Sequence, residues 1–158
     1  MDAGSEAVLD RAAAALAARG VQLTPLRRQV LELVLDAGQP VGAYALLDRL
    51  KASRPGAAPP TVYRALDFLL EQGLIHKVER LNAFIGCAEQ GHACHGAAHA
   101  HGHSHPHQFL ICLRCGATEE VADDAVTRAV AAVAARSGFR PTRATVEIEG
   151  TCARCAAA

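Results

Sequence analysis

Two Cys-x-x-Cys pairs, Cys112-Leu113-Arg114-Cys115 and Cys152-Ala153-Arg154-Cys155, are the residues most evidently able to do chemistry. Four thiolates at knuckle spacing suit a tetrahedral zinc ion, and Gly116 directly after the first pair supplies the tight turn that points both sulfurs inward. A redox role would need only one such pair, and neither opens the helix of a βαβ unit. A second group of donors is spread over the chain: His76, Cys87, the histidines just before Cys112, and Glu119-Glu120 after it. If His76 and Cys87 face each other across a hairpin, a histidine near 105–107 and a glutamate would complete an S/N/N/O shell drawn from both halves of the chain. The plainer reading makes His76 a solvated strand residue, Cys87 a small buried apolar group and the glutamates an exposed charge pair. Between the two sets lies a run of imidazoles spaced mostly as H-x-H. His92, His95, His99, His101 and His103, with Cys94, are candidate accessory metal ligands on a low-complexity segment, whose alternative role is that of a solvated linker.

These donors need elements to hold them. Residues 5–19 are rich in Ala and Leu, with Val8, Ala12, Ala15 and Leu16 on one side and Gly20 as a stop, and they predict a first helix. Thr24-Pro25 offers an N-cap with proline at the first helical position of a second helix, whose stripe is Leu26, Val30, Leu33 and Val34. A third helix fits roughly 42–52 on Leu46, Leu47 and Leu50. After the loop 54–59, Val62, Ala65, Leu66 and Leu69 recur at helical spacing, Gly73 follows, and Tyr63, Arg64 and Asp67 face outward. Residues 74–79 and 83–87 read as a strand hairpin. Helices followed by a two-stranded wing make a winged helix-turn-helix. Apolar periodicity then stops from Ala88 to Pro106. Beyond it, strands are expected at 108–112 and 118–121, then a helix over 123–137 burying Val126, Val130 and Val133, and a last strand over 140–149. The fold class is therefore α+β: a winged-helix DNA-binding domain over 1–87, a His-rich linker over 88–106, and a small α+β dimerisation domain over 107–158, too thin to stand without a metal staple.

Bulk composition bounds the function. The chain has 158 residues, 51% hydrophobic and 20% charged, which excludes a disordered polymer. No apolar stretch is long enough for a membrane span and the N-terminus has no leader pattern, so a cytoplasmic protein with reduced cysteines and no membrane partner is expected. The formal net charge is +0, but from Arg19 to Arg64 seven Lys/Arg stand against three acids, Glu32, Asp36 and Asp48. That local excess suits a phosphate-facing surface.

The run from Pro59 through Tyr63-Arg64-Ala65-Leu66 to Glu79 resembles the recognition helix and wing of the ferric uptake regulator (Fur) family, and within it the zinc uptake regulator (Zur) branch. The likeness extends from about residue 8 to residue 155 and takes in Leu23-Thr24-Pro25-Leu26-Arg27, the His-Gln-Phe-Leu-Ile-Cys-x-x-Cys-Gly stretch and the terminal Cys-x-x-Cys. It implies a homodimer that binds double-stranded DNA at a palindromic operator, with zinc as co-repressor of zinc-uptake genes and about two zinc ions per subunit. The structural zinc would sit on Cys112, Cys115, Cys152 and Cys155. The regulatory zinc would sit on His76, Cys87, a histidine at 105 or 107, and Glu120. The family pattern selects Glu120 over Glu119 and favours His105, although other branches of the family use the position of His107. Thr61, Tyr63 and Arg64 would reach DNA from the recognition helix, with Arg27, Arg28, Arg49 and Lys51 as phosphate contacts.

The chain departs from the family in its long, dense histidine tract and in having no histidine after 107. Rival readings are an iron or manganese sensor of the same family, and a zinc-storage or zinc-delivery protein built on the tract. An enzyme is not expected: there is no HExxH or deaminase-type motif.

Overall fold

The structure, a computed structural model, describes residues 3–87 and 107–157. The chain divides into two compact units, with the boundary after His95. His92, Cys94, His95, His99, His101, His103 and His105 lie outside the described residues.

The first unit holds four helices and a hairpin: α1 (Ala3–Ala17), α2 (Pro25–Ala37), α3 (Ala43–Lys51), α4 (Pro59–Glu71), β1 (Ile75–Val78) and β2 (Ala83–Gly86). The Thr24 side chain accepts from the Arg27 N–H, Pro25 opens α2, and Gly38 closes it with a positive φ of 62°. That hydroxyl cap and left-handed glycine are the start and stop signals visible in the sequence. Helix α4 buries Val62, Ala65, Leu66 and Leu69, the stripe its period demands. In α2 the fully buried residues are Val30, Leu31 and Val34, while Leu26 and Leu33 pack at the margin. In α1, Leu9 joins Ala12 and Leu16 in the core and Val8 is only half-buried. An alanine-rich helix has a broad apolar face, so its phase is set by what it packs against and not by its own pattern. One hydrophobic core joins all four helices to Leu74, Ile75 and Phe84 of the wing. The strands pair antiparallel with Ile75 opposite Gly86 and Val78 opposite Ala83, and a short 3-10 turn at Glu79–Leu81 connects them.

The second unit is a three-stranded sheet with one long helix: β3 (His107–Cys112), β4 (Thr118–Val121), α5 (Asp124–Arg136), β5 (Thr145–Gly150) and the single turn α6 (Ala153–Ala156). The strand order is β4-β3-β5, with β3 antiparallel to β4 and parallel to β5. The Asp123 carboxylate caps α5 by accepting from the N–H groups of Ala125 and Val126. Gln108, 2% exposed, pins this corner: its Nε2 donates to the Asp123 carbonyl at 3.0 Å and its Oε1 accepts from the Asp123 N–H at 3.3 Å. The expected stripe of α5 is not buried. No residue of that helix is, and Val133 is 54% exposed. One layer of sheet and one helix leave apolar surface with no second layer to cover it. The last strand also begins at Thr145 and not at residue 140, because Pro141 can offer no N–H to a ladder.

Candidate metal centres and nucleic-acid interface

Topology explains why the four knuckle cysteines meet. The parallel register places Cys112 opposite Gly150, so β3 and β5 end at the same edge of the sheet. The first pair then turns through Gly116, at φ 73°, whose N–H donates to the Cys112 carbonyl at 2.9 Å. The second pair leaves β5 beside it, and Leu113 N–H binds the Gly150 carbonyl at 2.9 Å. Arg114 donates to the Cys155 carbonyl and ties the two turns. One sulfur from each of the four cysteines falls in a cluster within 4.8 Å, and Cys115 Sγ stands 3.8 Å from Cys152 Sγ. A tetrahedron with zinc–sulfur bonds of about 2.3 Å has edges of about 3.8 Å, so the donor set fits that ion.

The charges of this cluster point the same way. The Cys152 N–H reaches Cys112 Sγ at 3.4 Å, and this hydrogen bond, then that from the Cys115 backbone, lowers the Cys112 thiol to about 6. Cys152 is also lowered, chiefly by the backbone N–H of Cys155. Cys155 moves the other way, to about 12, because it faces the sulfurs of Cys115 and Cys152. Backbone donors favour the first thiolates, and their accumulated negative charge then opposes the last. A cation is what would let all four ionise together.

The other donors are described unit by unit. In the first unit His76 and Cys87 are buried, 5% and 6% exposed. The register sets His76 opposite Ile85, and the Cys87 N–H binds the Leu74 carbonyl at 3.2 Å. His76 and Cys87 therefore do not stand directly opposite each other. They are diagonal neighbours on one face of the wing, because side chains two apart on a strand share a face. In the second unit His107 Nδ1 lies 3.3 Å from Glu120 Oε1, with 7% and 13% of the two side chains exposed. Two oxygen or nitrogen ligands of one tetrahedral zinc, bonded at about 2.0 Å, would be about 3.3 Å apart, so this pair fits an edge of such a shell. Phe109 pairs with Glu120 and Leu110 with Glu119. Alternation puts Glu120 on the His107 side of the sheet and Glu119 on the other.

On the first unit, Tyr63 and Arg64 are exposed on α4 and Thr61 is half-buried one turn earlier. Arg49 and Lys51 are exposed in the last turn of α3. Two other expected phosphate contacts are engaged within the fold. Arg28 forms an ion pair with Asp10 at 2.7 Å, and the Arg27 guanidinium stacks 3.6 Å over the Phe68 ring while donating to the Gln22 carbonyl. Arg54, counted in the sequence only within the basic excess between Arg19 and Arg64 and not as a contact of its own, donates its Nε to Gln29 Oε1 at 2.7 Å. Its place beside the Pro/Gly/Ala loop was the available signal.

The family model for the ferric uptake regulator family matches residues 18–149. The chain belongs to the ferric uptake regulator family. Within that family, the chain is 40% identical over 151 residues to the zinc uptake regulation protein of Escherichia coli (strain K12), covering 96% of this chain and 82% of the relative. Among solved structures it is similar to a zinc uptake regulator complexed with zinc and DNA, with a TM-score of 0.87, 38% identity, and coverage of 99% of this chain and 97% of that one. It is also similar to holo XcZur, with a TM-score of 0.80, 44% identity, and coverage of 95% and 97%. No helix among the described residues is long and apolar enough to cross a membrane.

Proposed function

We propose that this chain is a zinc-responsive transcriptional repressor of the ferric uptake regulator family, acting as a homodimer on a palindromic DNA operator that controls zinc-uptake genes. One observation carries the reading: His76 and Cys87, donors of the kind zinc prefers, are buried on the wing of the same unit that presents α4, so a metal and DNA would act on one unit. The relatives named for zinc uptake regulation, one of them complexed with zinc and DNA, support it. Residues 1–87 read DNA, 88–106 connect, and 107–158 dimerise.

Each subunit holds two zinc ions in this reading. The first is structural, on Cys112, Cys115, Cys152 and Cys155, and staples a unit that has little core of its own. The second is regulatory and draws on both units: His76 and Cys87 from the wing, Glu120 with His107 or His105 from the second. A thiolate in that shell favours zinc over the harder iron and manganese ions. When bound, the zinc would supply a positive charge that holds these ligands together, His76 and Cys87 from the wing and Glu120 with a histidine from the second unit. Tyr63, Arg64 and Thr61 meet the bases and their flanking phosphates, while Arg49 and Lys51 bind phosphate. Arg27 and Arg28 contribute only by exchanging their internal partners for DNA.

The test is operator binding by fluorescence anisotropy at matched salt, with zinc and after removal of the weaker ion by a chelator. Tighter binding with zinc is expected, and by linkage operator DNA must tighten zinc by the same factor. Equal affinity in both states rejects the switch. Metal analysis of Cys87→Ser should show one zinc fewer per subunit; an unchanged count removes Cys87 from the ligand set.

A further inference from the structure

The seven basic residues between Arg19 and Arg64 are not equivalent once their partners are known. Arg28 spends its charge on Asp10, and Arg27 lies over Phe68. Arg54 is held differently. Its backbone is fixed at both ends: its N–H donates to the Leu50 carbonyl at 2.8 Å, and its own carbonyl accepts from Ala57 N–H at 2.9 Å. Its side chain is fixed as well, by the Nε bond to Gln29 Oε1 at 2.7 Å. Gln29 is in turn set by Ser53, since Nε2 donates to Ser53 Oγ at 2.5 Å and that hydroxyl donates to the Leu50 carbonyl at 3.1 Å.

The clamp is neutral. A glutamine amide orients a guanidinium without cancelling its charge, whereas a carboxylate such as Asp10 does both. Among the described residues no carboxylate lies within 4.0 Å of Arg54. Arg54 is exposed, and with Nε occupied by the amide the four N–H bonds of its two terminal nitrogens are left for another acceptor. An arginine normally loses rotamer freedom when it binds; here the Gln29 amide already holds it in the folded chain. Its position is also informative. The loop it anchors leads directly into α4, whose exposed Tyr63 and Arg64 face outward, and Arg49 and Lys51 lie just before it on α3.

We propose that Arg54 is a contact to the DNA backbone, and that Gln29 and Ser53 are positioning residues that preset its guanidinium for a phosphate. This rests on the DNA-binding reading above. A phosphate contact strengthens binding to any duplex and carries no sequence information, which separates it from the part played by Tyr63 and Arg64.

The experiment measures affinity against salt concentration for the zinc-loaded full chain, on an operator duplex selected from random sequence with that protein and on an unrelated duplex. Arg54→Gln should weaken both duplexes by the same factor and reduce the slope of log affinity against log salt by about 0.9 per subunit. Gln29→Ala keeps the charge, so its slope should stay near that of the parent while affinity falls about threefold to tenfold, the cost of ordering one long side chain. Wild-type affinity and slope for Arg54→Gln overturn the proposal. An unchanged affinity for Gln29→Ala overturns the positioning role, and a loss confined to the operator makes Arg54 a base reader instead. If the parent prefers no operator, the repressor reading fails while the unrelated duplex still reads Arg54. If it binds no DNA at all, both fall. Unfolding midpoints equal to the parent's show that neither variant acts through the fold.

Discussion

Glu119 and Glu120 are chemically identical neighbours whose fates differ by one step of strand register. Spacing alone left both open as ligands, and only the family resemblance chose between them, because the face a strand residue occupies depends on pairing with a distant partner. Pairing with Phe109 puts Glu120 beside His107, and pairing with Leu110 puts Glu119 on the opposite face. Glu120→Gln should therefore weaken the second zinc by at least about tenfold, while Glu119→Gln leaves it near the parent value. Competition with a chromophoric chelator measures both, and equal losses would reject the assignment. The knuckle thiols give a second prediction. Cys112, lowered to about 6, is thiolate at neutral pH and gives up no proton to zinc there. As pH falls through about 6 it takes a proton, which zinc must then expel, so affinity should drop by about a further tenfold per pH unit. Cys155, raised to about 12, yields its proton throughout the working range. Calorimetry of Cys87→Ser, which isolates the four-cysteine site, in buffers of different ionisation enthalpy should show proton release rising by about one per subunit between about pH 7 and pH 5. A flat value would contradict the lowered Cys112.

Elements were legible where one chain supplies both the apolar face and what covers it. The α4 stripe, the capped start of α2 and the wing hairpin all follow from period and punctuation, and the core of the first unit closes over them. Helix α5 shows the converse. Its period was readable but its burial was not, because Val126, Val130 and Val133 have nothing within the described chain to bury them fully. The diagonal placement of His76 and Cys87 was hidden for another reason: the 3-10 turn at Glu79–Leu81 sets the register, and turn geometry is poorly specified by a short polar stretch. The Gln108 bridge was not anticipated either, since an amide in an apolar strand gives no sign of its partners. Replacing it by alanine removes both hydrogen bonds to the Asp123 backbone, although the Asp123 carbonyl keeps the Thr127 N–H and hydroxyl as donors. Gln108→Ala should lower the stability of the second unit by about 1–3 kcal/mol in urea unfolding, against little change in the first. A smaller effect than a surface substitution would show that α5 is held by other means.

At the scale of the molecule, a well-filled unit is joined in sequence to one that is open. The second unit exposes Leu110 at 40% and Ile148 at 49% from adjacent strands, together with Phe139 at 67%, and among the described residues β5 is an edge strand. Exposed apolar residues along an unpaired edge invite a second copy, which agrees with the homodimer proposed above. Ile148→Asp should yield a monomer by sedimentation velocity and cost at least about tenfold in affinity for an operator with two half-sites, since avidity is lost with the partner. A dimer that persists would place the interface elsewhere. Deletion of residues 92–103 separately asks whether the histidine tract supplies zinc to the switch: a shifted zinc midpoint for operator binding is expected if it does.

The parallel pairing of β3 with β5 also orders events in time. Cys115 and Cys152 are 37 positions apart, and β4, α5 and β5 are all made in between. At about 5–20 residues per second, a ribosome needs about 2–7 s to deliver the second knuckle after the first. During that interval the DNA-reading unit can already be folded, while the first two cysteines can offer zinc only half of its ligands. The nascent chain would thus complete its first unit before the proposed zinc staple of the second has all four of its ligands.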